Sequence, residues 1–519
     1  MRDLQNEYDT HSGQSGRAVV IGAGLGGLAA AMRLGAKGWN VTVLDRLDMP
    51  GGRASSITSR GHRFDLGPTI VTAPSVFRRL WSDCGEDFDR DVDLRPLDPF
   101  YRITWPDGSH FDAFAQHDAA EAEIARLAPD DVKGWHRFLR DAHARYVTGY
   151  EGMLIEPMHR AWSTIRVLPR FAMLRADRSI LSLARARVKD ERLRMALSFH
   201  PLFIGGDPAR VTSMYALVSH LEAKEGVHYA MGGVGAMAEE MARIVERQGG
   251  QIRQRTEVAE VLTRGKRAAG VRLSDGEKIP ADIVVSNADA GHTYSRLLPG
   301  RRRWTKRKLS RTRLSMGLFV WYFGTEETRH IWPEVGHHTI LSGPRYEGLL
   351  ADVFRKGHLA DDMSLYVHRP SVTDPSCAPA GGDTFYALSP VPHLGHRDPV
   401  RWSEIAESYR ARVQAVLEER LLPGLGDHVT ASMCFTPEDF RDRYLSPYGA
   451  GFSIEPRILQ SAWFRPHNVS EEVPGLFLVG AGTHPGAGLP GVVASAEVLE
   501  RVVPPLPVVT ADPMQQAAE

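Results

Sequence analysis

An α/β fold, carrying a Rossmann-type nucleotide-binding domain built from discontinuous segments, is predicted by three observations. A short apolar run, Ala18-Val19-Val20-Ile21, ends in the glycine pattern Gly22-x-Gly24-x-x-Gly27 and leads into an alanine-rich helical stretch that Gly38 stops. A second β-rich run, Val41-Thr42-Val43-Leu44, closes on an acid, Asp45. A second glycine-rich segment, Gly480 to Gly491, lies between a strand and a helix at the other end of the chain.

Each element has a physical reason. Gly22 permits the tight turn, Gly24 lets backbone approach a pyrophosphate, and Gly27 lets helix and strand pack closely. The helix start then offers unpaired N–H groups and a positive dipole end to phosphate. Asp45 stands 23 residues after Gly22, where a carboxylate can accept from ribose hydroxyls. In Pro50-Gly51-Gly52-Arg53, Gly52 lets a loop cross a bound nucleotide and Arg53 can pair with phosphate; a surface turn with a solvated arginine is the plain alternative. Gly235 to Val245 reads as helix, and Gln251 to Leu262, Ala268 to Leu273 and Ile283 to Val285 read as strands. Val258 can pack beside an adenine or serve only the core. The last strand is Leu476 to Val479, with a helix over Val492 to Val502. One glycine loop suffices for NAD, whereas two, at opposite ends of the chain, suit a longer cofactor.

The nucleotide-binding domain is therefore assigned to residues 17–117, 226–300 and 464–503. Residues 118–225 and 301–463 form a second, α+β domain, and 1–16 and 504–519 are flexible tails. Of 519 residues, 43% are hydrophobic and 24% charged, which excludes a wholly disordered, collagen-like or coiled-coil chain. Lys plus Arg and Asp plus Glu are both 63, so a general nucleic-acid binder is disfavoured. Three scattered cysteines make neither a disulfide framework nor a Cys-rich metal site, and they indicate a reducing compartment. No metal-ligand spacing is found. No stretch resembles a secretory signal or a spanning helix, so any membrane contact is one-sided.

Further motifs are Phe64-Asp65-Leu66-Gly67-Pro68-Thr69, Ser198 to Leu202, Ser286-Asn287-Ala288-Asp289, Ser364-Leu365-Tyr366, Pro390 to Gly395, Thr436-Pro437 with Asp439 to Asp442, and Ser461 to Asn468. With the two glycine loops they cover nearly everything from Arg17 to Val502. The chain resembles the bacterial phytoene desaturases, FAD-dependent carotenoid enzymes of the wider amine-oxidase-like flavoprotein group. Asp45 departs from the pattern, since relatives often carry Glu there; the shorter acid still reaches a ribose.

The resemblance implies a Rossmann-type FAD-binding domain plus an α+β substrate and membrane-associating domain. It implies successive C=C formation in 15-cis-phytoene, giving neurosporene and/or lycopene by hydride transfer to FAD. Alternatives are a desaturase or isomerase acting on another carotenoid, or a non-catalytic lipid-binding relative. Asn287, Gly482, Thr483, Gly491 and Val492 then join Gly22, Gly24, Gly27, Asp45, Gly52, Arg53 and Val258 around the cofactor. Arg166 is the catalytic candidate by similarity, with a solvated helix arginine as the alternative. Ser163 nearby cannot replace a carboxylate base, and His484 reads as a loop histidine fixed by backbone bonds. Partners are phytoene and partly desaturated carotenoids, membrane lipid, and quinone or oxygen as electron acceptor. Arg160 to Arg194 interleaves ten basic residues with apolar ones, and Arg301 to Arg313 holds eight basic residues with Trp304. Such stretches suit peripheral attachment to the cytoplasmic side of a membrane. The number of desaturation steps is not legible in the motifs.

Overall fold

The computed structural model describes residues 16–298, 308 and 310–506. Its centre is a five-stranded parallel sheet built from β1 (Arg17–Ile21), β2 (Asn40–Leu44), β3 (Gln251–Arg253), β4 (Ile283–Ser286) and β5 (Leu476–Leu478), in the order β5-β4-β1-β2-β3. β1, β4 and β5 are almost wholly buried, as expected of a parallel sheet covered on both faces. One face is covered by α1 (Leu25–Ala36), α2 (Gly233–Arg247) and α3 (Leu489–Glu500), whose apolar residues share one core with Val20, Val43 and Val285. The other face carries the antiparallel strands Val258–Arg264, Arg267–Leu273 and Lys278–Pro280, with Val19, Leu44 and Val284 in their core.

The stretch expected as one strand over 251–262 is two strands in different sheets. Gln251–Arg253 extends the parallel sheet beside β2, and Val258–Arg264 starts the antiparallel one. Between them the chain turns at Arg255, whose φ is +51°. α3 also begins earlier than expected, because Pro490 occupies its first turn, where no N–H is needed.

A seven-stranded sheet forms the second layer system, in the order Val429–Phe435, Gly317–Thr325, Asp383–Val391, Leu365–His368, His338–Leu341, Tyr101–Thr104, His110–Ala113. All of its pairs are antiparallel except Tyr101–Thr104 with His338–Leu341. Tyr101–Thr104 and His110–Ala113 thus hydrogen-bond into this sheet rather than the nucleotide-binding one, although the sequence division had put them in the segment 17–117. Alternating strands of this length carry no local mark of the sheet they join. At the C-terminal end, Val503 and Leu506 pack on the core, so the chain stays attached past residue 504.

Asp65 links the two regions. It ends the strand His62–Asp65 and accepts from the N–H of Gly235 (3.3 Å) in the first turn of α2. Burial pushes its carboxyl up to about 7, against the pull of that N–H and of Arg63. A carboxyl held above its ordinary value of 3.8 binds more protons folded than unfolded between 3.8 and about 7. Stability therefore falls as pH rises across that window. Asp65→Asn should flatten this dependence, so that melting temperatures of variant and wild type diverge in the variant's favour from pH 5 to pH 8. Parallel melting curves at every pH would contradict it.

Candidate functional site

The first turn is held tightly. Gly22 N–H donates to Leu44 O at 2.7 Å with φ at +94°, and Gly51 N–H donates to Ala23 O at 2.8 Å. A Cβ on Gly27 would lie 2.0 Å from Gly22 O, so Gly27 serves helix–strand packing and does not itself line the cavity. Asp45 is buried at the end of β2. Its Oδ2 accepts from Ala23 N–H (2.6 Å) and its Oδ1 from Leu47 N–H (2.8 Å). Burial raises its pKa while those two N–H groups oppose the rise.

Asn287 follows β4, its N–H donating to Ile21 O at 2.8 Å. A Cβ on Gly24, Gly26 or Gly480 would fall 2.8, 2.6 or 2.5 Å from its amide atoms. One side chain therefore fills the notch where the first glycine loop, β4 and the second glycine loop meet. Val479 N–H, donating to Ser286 O at 3.0 Å, brings the second loop to the same sheet end. Ligands in open α/β sheets bind at this end of the strands.

A single cavity of about 1010 Å³ runs from this point. Gly22, Gly24, Asp45, Gly52, Arg53, Val258, Asn287, Gly491 and Val492 line it, so most of the expected cofactor residues converge. Gly482 and Thr483 do not line it. A Cβ on Gly482 would meet Ala290 N at 2.9 Å, and the buried Thr483 hydroxyl donates to Pro466 O at 2.6 Å, so both brace the loop from behind. Ala481, His484 and Gly488 form that part of the wall instead. His484 Nε2 bonds Met153 O at 3.2 Å, and burial pushes its pKa down to about 4.

Arg166 lies outside the cavity. Its side chain is 54% exposed and pairs with Glu156 at 3.4 Å. The five-residue helix Ala161–Ile165, which it caps, buries no residue, so the structure does not bring Arg166 to the cavity with the other expected residues.

Around the nucleotide end, Arg46 Nε, Arg53 Nε, Arg443 Nε and Asp289 Oδ2 are buried without hydrogen-bond partners, and all four residues line the cavity. Unpaired buried polar groups are costly. Three arginines that line one space, each with a guanidinium nitrogen unpaired in the protein, fit the phosphates of a dinucleotide cofactor. Burial lowers the Arg53 pKa, Asp289 opposes this, and Arg53 Nη2 donates to Ser446 Oγ at 2.8 Å. Arg46, Asp289 and Arg443 had been given no site role, since each is a single charge in a separate segment. A buried arginine, Arg465, also went unassigned; it donates to Ala481 O (2.7 Å) and Thr483 O (3.0 Å) and fixes the second loop.

Beyond the glycine cradle the lining turns apolar, with Phe171, Leu202, Phe203, Ile340 and Leu388. Some of its polar groups there pair with one another: Thr69 Oγ1 bonds the hydroxyls of Tyr366 (2.8 Å) and Tyr386 (3.1 Å). Tyr366 OH continues to His338 Nδ1 at 2.7 Å. His338 sits in a buried group with His337 and His368, whose possible ligand atoms lie within 4.8 Å of one another. Linear spacing hid this group, because it forms across paired strands. His368 Nε2 bonds His337 Nε2 at 3.0 Å and His337 Nδ1 bonds Thr373 Oγ1 at 2.7 Å; burial holds all three pKa values low, that of His337 at about 3.

The sequence profile of flavin containing amine oxidoreductases matches residues 25–497. This chain belongs to that family. It is an FAD-dependent oxidoreductase, and the phosphate-facing arginines and the two glycine loops fit that cofactor. It is 64% identical to the neurosporene-forming phytoene desaturase of Cereibacter sphaeroides over 493 residues, covering 95% of each chain. It is 43% identical to the lycopene-forming phytoene desaturase of a Paracoccus species, covering 95% of this chain and 98% of that one. Among solved structures, an oxidoreductase from Methanosarcina mazei has a TM-score of 0.64 at 18% identity, covering 93% of this chain and all of that one. A putrescine oxidase variant has a TM-score of 0.61 at 15% identity, covering 94% and 97%, and shares the fold.

Gly24 has φ −71°, which any residue adopts, so a side chain there acts by displacing Asn287. Gly24→Val should purify with about a tenth of the wild-type flavin or less, because the cradle for the pyrophosphate closes. The ratio of flavin to protein absorbance measures this; an unchanged ratio would remove the loop from the cofactor site.

Proposed function

We propose that this chain is a phytoene desaturase that converts 15-cis-phytoene stepwise to neurosporene, with lycopene as the product of a further step. The observation that carries the reading is the continuity of one cavity, polar and cationic at the glycine cradle and apolar beyond it. The 64% identity to a neurosporene-forming relative, against 43% to a lycopene-forming one, supports neurosporene as the main product.

FAD, when bound, supplies two-electron acceptor chemistry for a C–H bond beside a growing polyene. The protein orients it: the two glycine loops fix the pyrophosphate end through Asn287, and Arg46, Arg53 and Arg443 answer the phosphates. Thr69 stands at the junction. It follows Gly67, where a Cβ would meet Arg53 O at 2.0 Å, and its hydroxyl joins the two wall tyrosines. The apolar wall excludes water from the reacting carbons and grips a hydrocarbon by shape.

The substrate arrives from lipid. Among the described residues no helix is long and apolar enough to cross a membrane. The short helices Ala161–Ile165 and Leu168–Met173 bury none of their residues, and Trp162 and Met173 are 69% and 77% exposed. Leu168, Leu459 and Phe464, also exposed, line the cavity, so the apolar patch continues into its mouth. Arg160, Arg166, Arg170 and Arg175 surround it, which suits anionic lipid on the cytoplasmic side. This patch covers only the first half of the expected stretch 160–194: Ile180, Leu181 and Leu183 are buried in the core and cannot touch lipid. Most of the other expected stretch falls at 301–307 and 309, outside the described residues. Quinone or oxygen is the electron acceptor that completes the cycle.

Incubation with FAD and phytoene in liposomes, under quinone or air, should yield neurosporene ahead of lycopene by chromatography. A flavin-loaded protein that leaves phytoene unchanged under both acceptors would sink the reading. Trp162→Glu with Met173→Glu should lower co-sedimentation with anionic liposomes about tenfold or more, since two apolar anchors are lost. Unchanged sedimentation would place the membrane contact elsewhere.

A further inference from the structure

Three histidines meet behind the cavity wall on two paired strands. His338 opens the strand His338–Leu341 and stands directly opposite His368, which ends Leu365–His368; His337 precedes His338. None of the three is more than 6% exposed. One ring nitrogen from each lies within 4.8 Å of the other two. His337 Nε2 and His368 Nε2 are 3.0 Å apart. Two nitrogens bound to one ion at about 2.1 Å, at a right angle, are separated by about the same distance.

The tautomer of His338 follows from the hydroxyls in front of it, each of which has one proton to give. Tyr386 OH donates to Gly67 O at 3.3 Å, so Thr69 donates to Tyr386 and Tyr366 donates to Thr69. Tyr366 OH then accepts from His338 Nδ1–H at 2.7 Å. Burial keeps this ring neutral, so its Nε2 is a lone pair, and that atom has no partner in the protein. His337 is tethered in the same way, with Nδ1 bonded to Thr373 Oγ1 at 2.7 Å. A hydrogen bond at the far nitrogen is what orients a ligand histidine and leaves the near nitrogen for the metal. Burial pushes the His337 pKa down and the buried Asp374 opposes this, so a negative charge stands near the group.

We propose that His337, His338 and His368 bind one first-row transition-metal ion of the kind imidazole favours, zinc or copper, at a site that does not depend on the desaturase reading. The proton in the His337–His368 contact shifts to the outer nitrogen of its own ring, so each imidazole stays neutral and ligates through a lone pair. The ion joins His338 to the His337–His368 pair, which otherwise meet through ring contacts. It clamps the two strands behind Tyr366, which lines the cavity, and so holds the wall in place. A structural ion of this kind is taken up as the chain folds, and its ligands need no path from the cavity.

The test uses untagged, full-length, flavin-loaded protein, produced and refolded with zinc chloride or a copper salt and then desalted. Elemental analysis should find about one ion per chain. His338→Gln and His368→Gln should keep about a tenth of that or less with flavin content unchanged. His117→Ala with His136→Ala, which dismantles the more exposed group of His117, Glu121 and His136, should keep the wild-type amount. X-ray absorption at the metal edge should show imidazole nitrogens at about 2.0–2.1 Å. Stripping the ion with a chelator should lower the melting temperature of the wild type by several degrees and leave that of His338→Gln unchanged. Wild-type protein holding less than about a tenth of an ion per chain would overturn the proposal. So would full retention in a histidine variant that holds flavin. If both histidine variants lose flavin, the wild-type absorption spectrum decides, and a ligand shell without three imidazoles overturns the site.

Discussion

The site depends on a steric constraint at one amide side chain. Asn287 occupies the space that a Cβ at Gly24, Gly26 or Gly480 would need, and its Nδ2 reaches Gly22 O at 3.5 Å. Segments more than 450 residues apart in sequence are thereby closed onto one another at the carboxyl ends of β1, β4 and β5. Glycine is required on both sides because the amide fills the gap, and the amide is held because its backbone continues the parallel sheet. Without that closure the second loop would have no fixed position relative to the first, and a long cofactor could not be gripped at both ends.

From that closure the cavity divides by polarity. At the nucleotide end the arginines carry buried N–H groups that lack partners in the protein, a cost that a bound anion would offset. Arg53 shows the tension, since burial lowers its pKa while Asp289 pulls the other way. At the far end polar atoms are mostly paired with one another, so the wall is chemically quiet toward a hydrocarbon. Low polarity there also strengthens any charge interaction that does develop during reaction.

The sequence was most legible where chemistry is local. A strand, a tight glycine turn and an acid must follow one another closely, so Gly22, Gly24, Gly27 and Asp45 could be read directly, and Asn287 could be recognised through its motif. What depends on long-range pairing was hidden. The strands at 101–104 and 110–113 look like any alternating hairpin, and only pairing with His338–Leu341 assigns them to the larger sheet. The basic, apolar stretch 160–194 read as one amphipathic face, yet its second half is core, because Ile180 and Leu183 meet Phe138 and Trp135 from a distant helix. Arg166 is exposed for a related reason: a motif position fixes where a residue lies in the chain, while exposure is decided by what packs over it. Gly482 and Thr483 belong to the second loop and brace it from outside the cavity.

Two polar groups on the apolar wall share one feature. Tyr366 OH bonds His338 Nδ1, and His368 Nε2 bonds His337, which holds Thr373; the two pieces meet only through ring contacts, and His338 Nε2 is buried without a partner. In the shorter His200–Glu222 pair, His200 Nδ1 and Glu222 Oε1 are likewise buried without partners. A structural role predicts satisfied atoms, since an unpaired buried acceptor opposes folding. Both groups keep a buried imidazole nitrogen unpaired, a cost that the packing around them offsets.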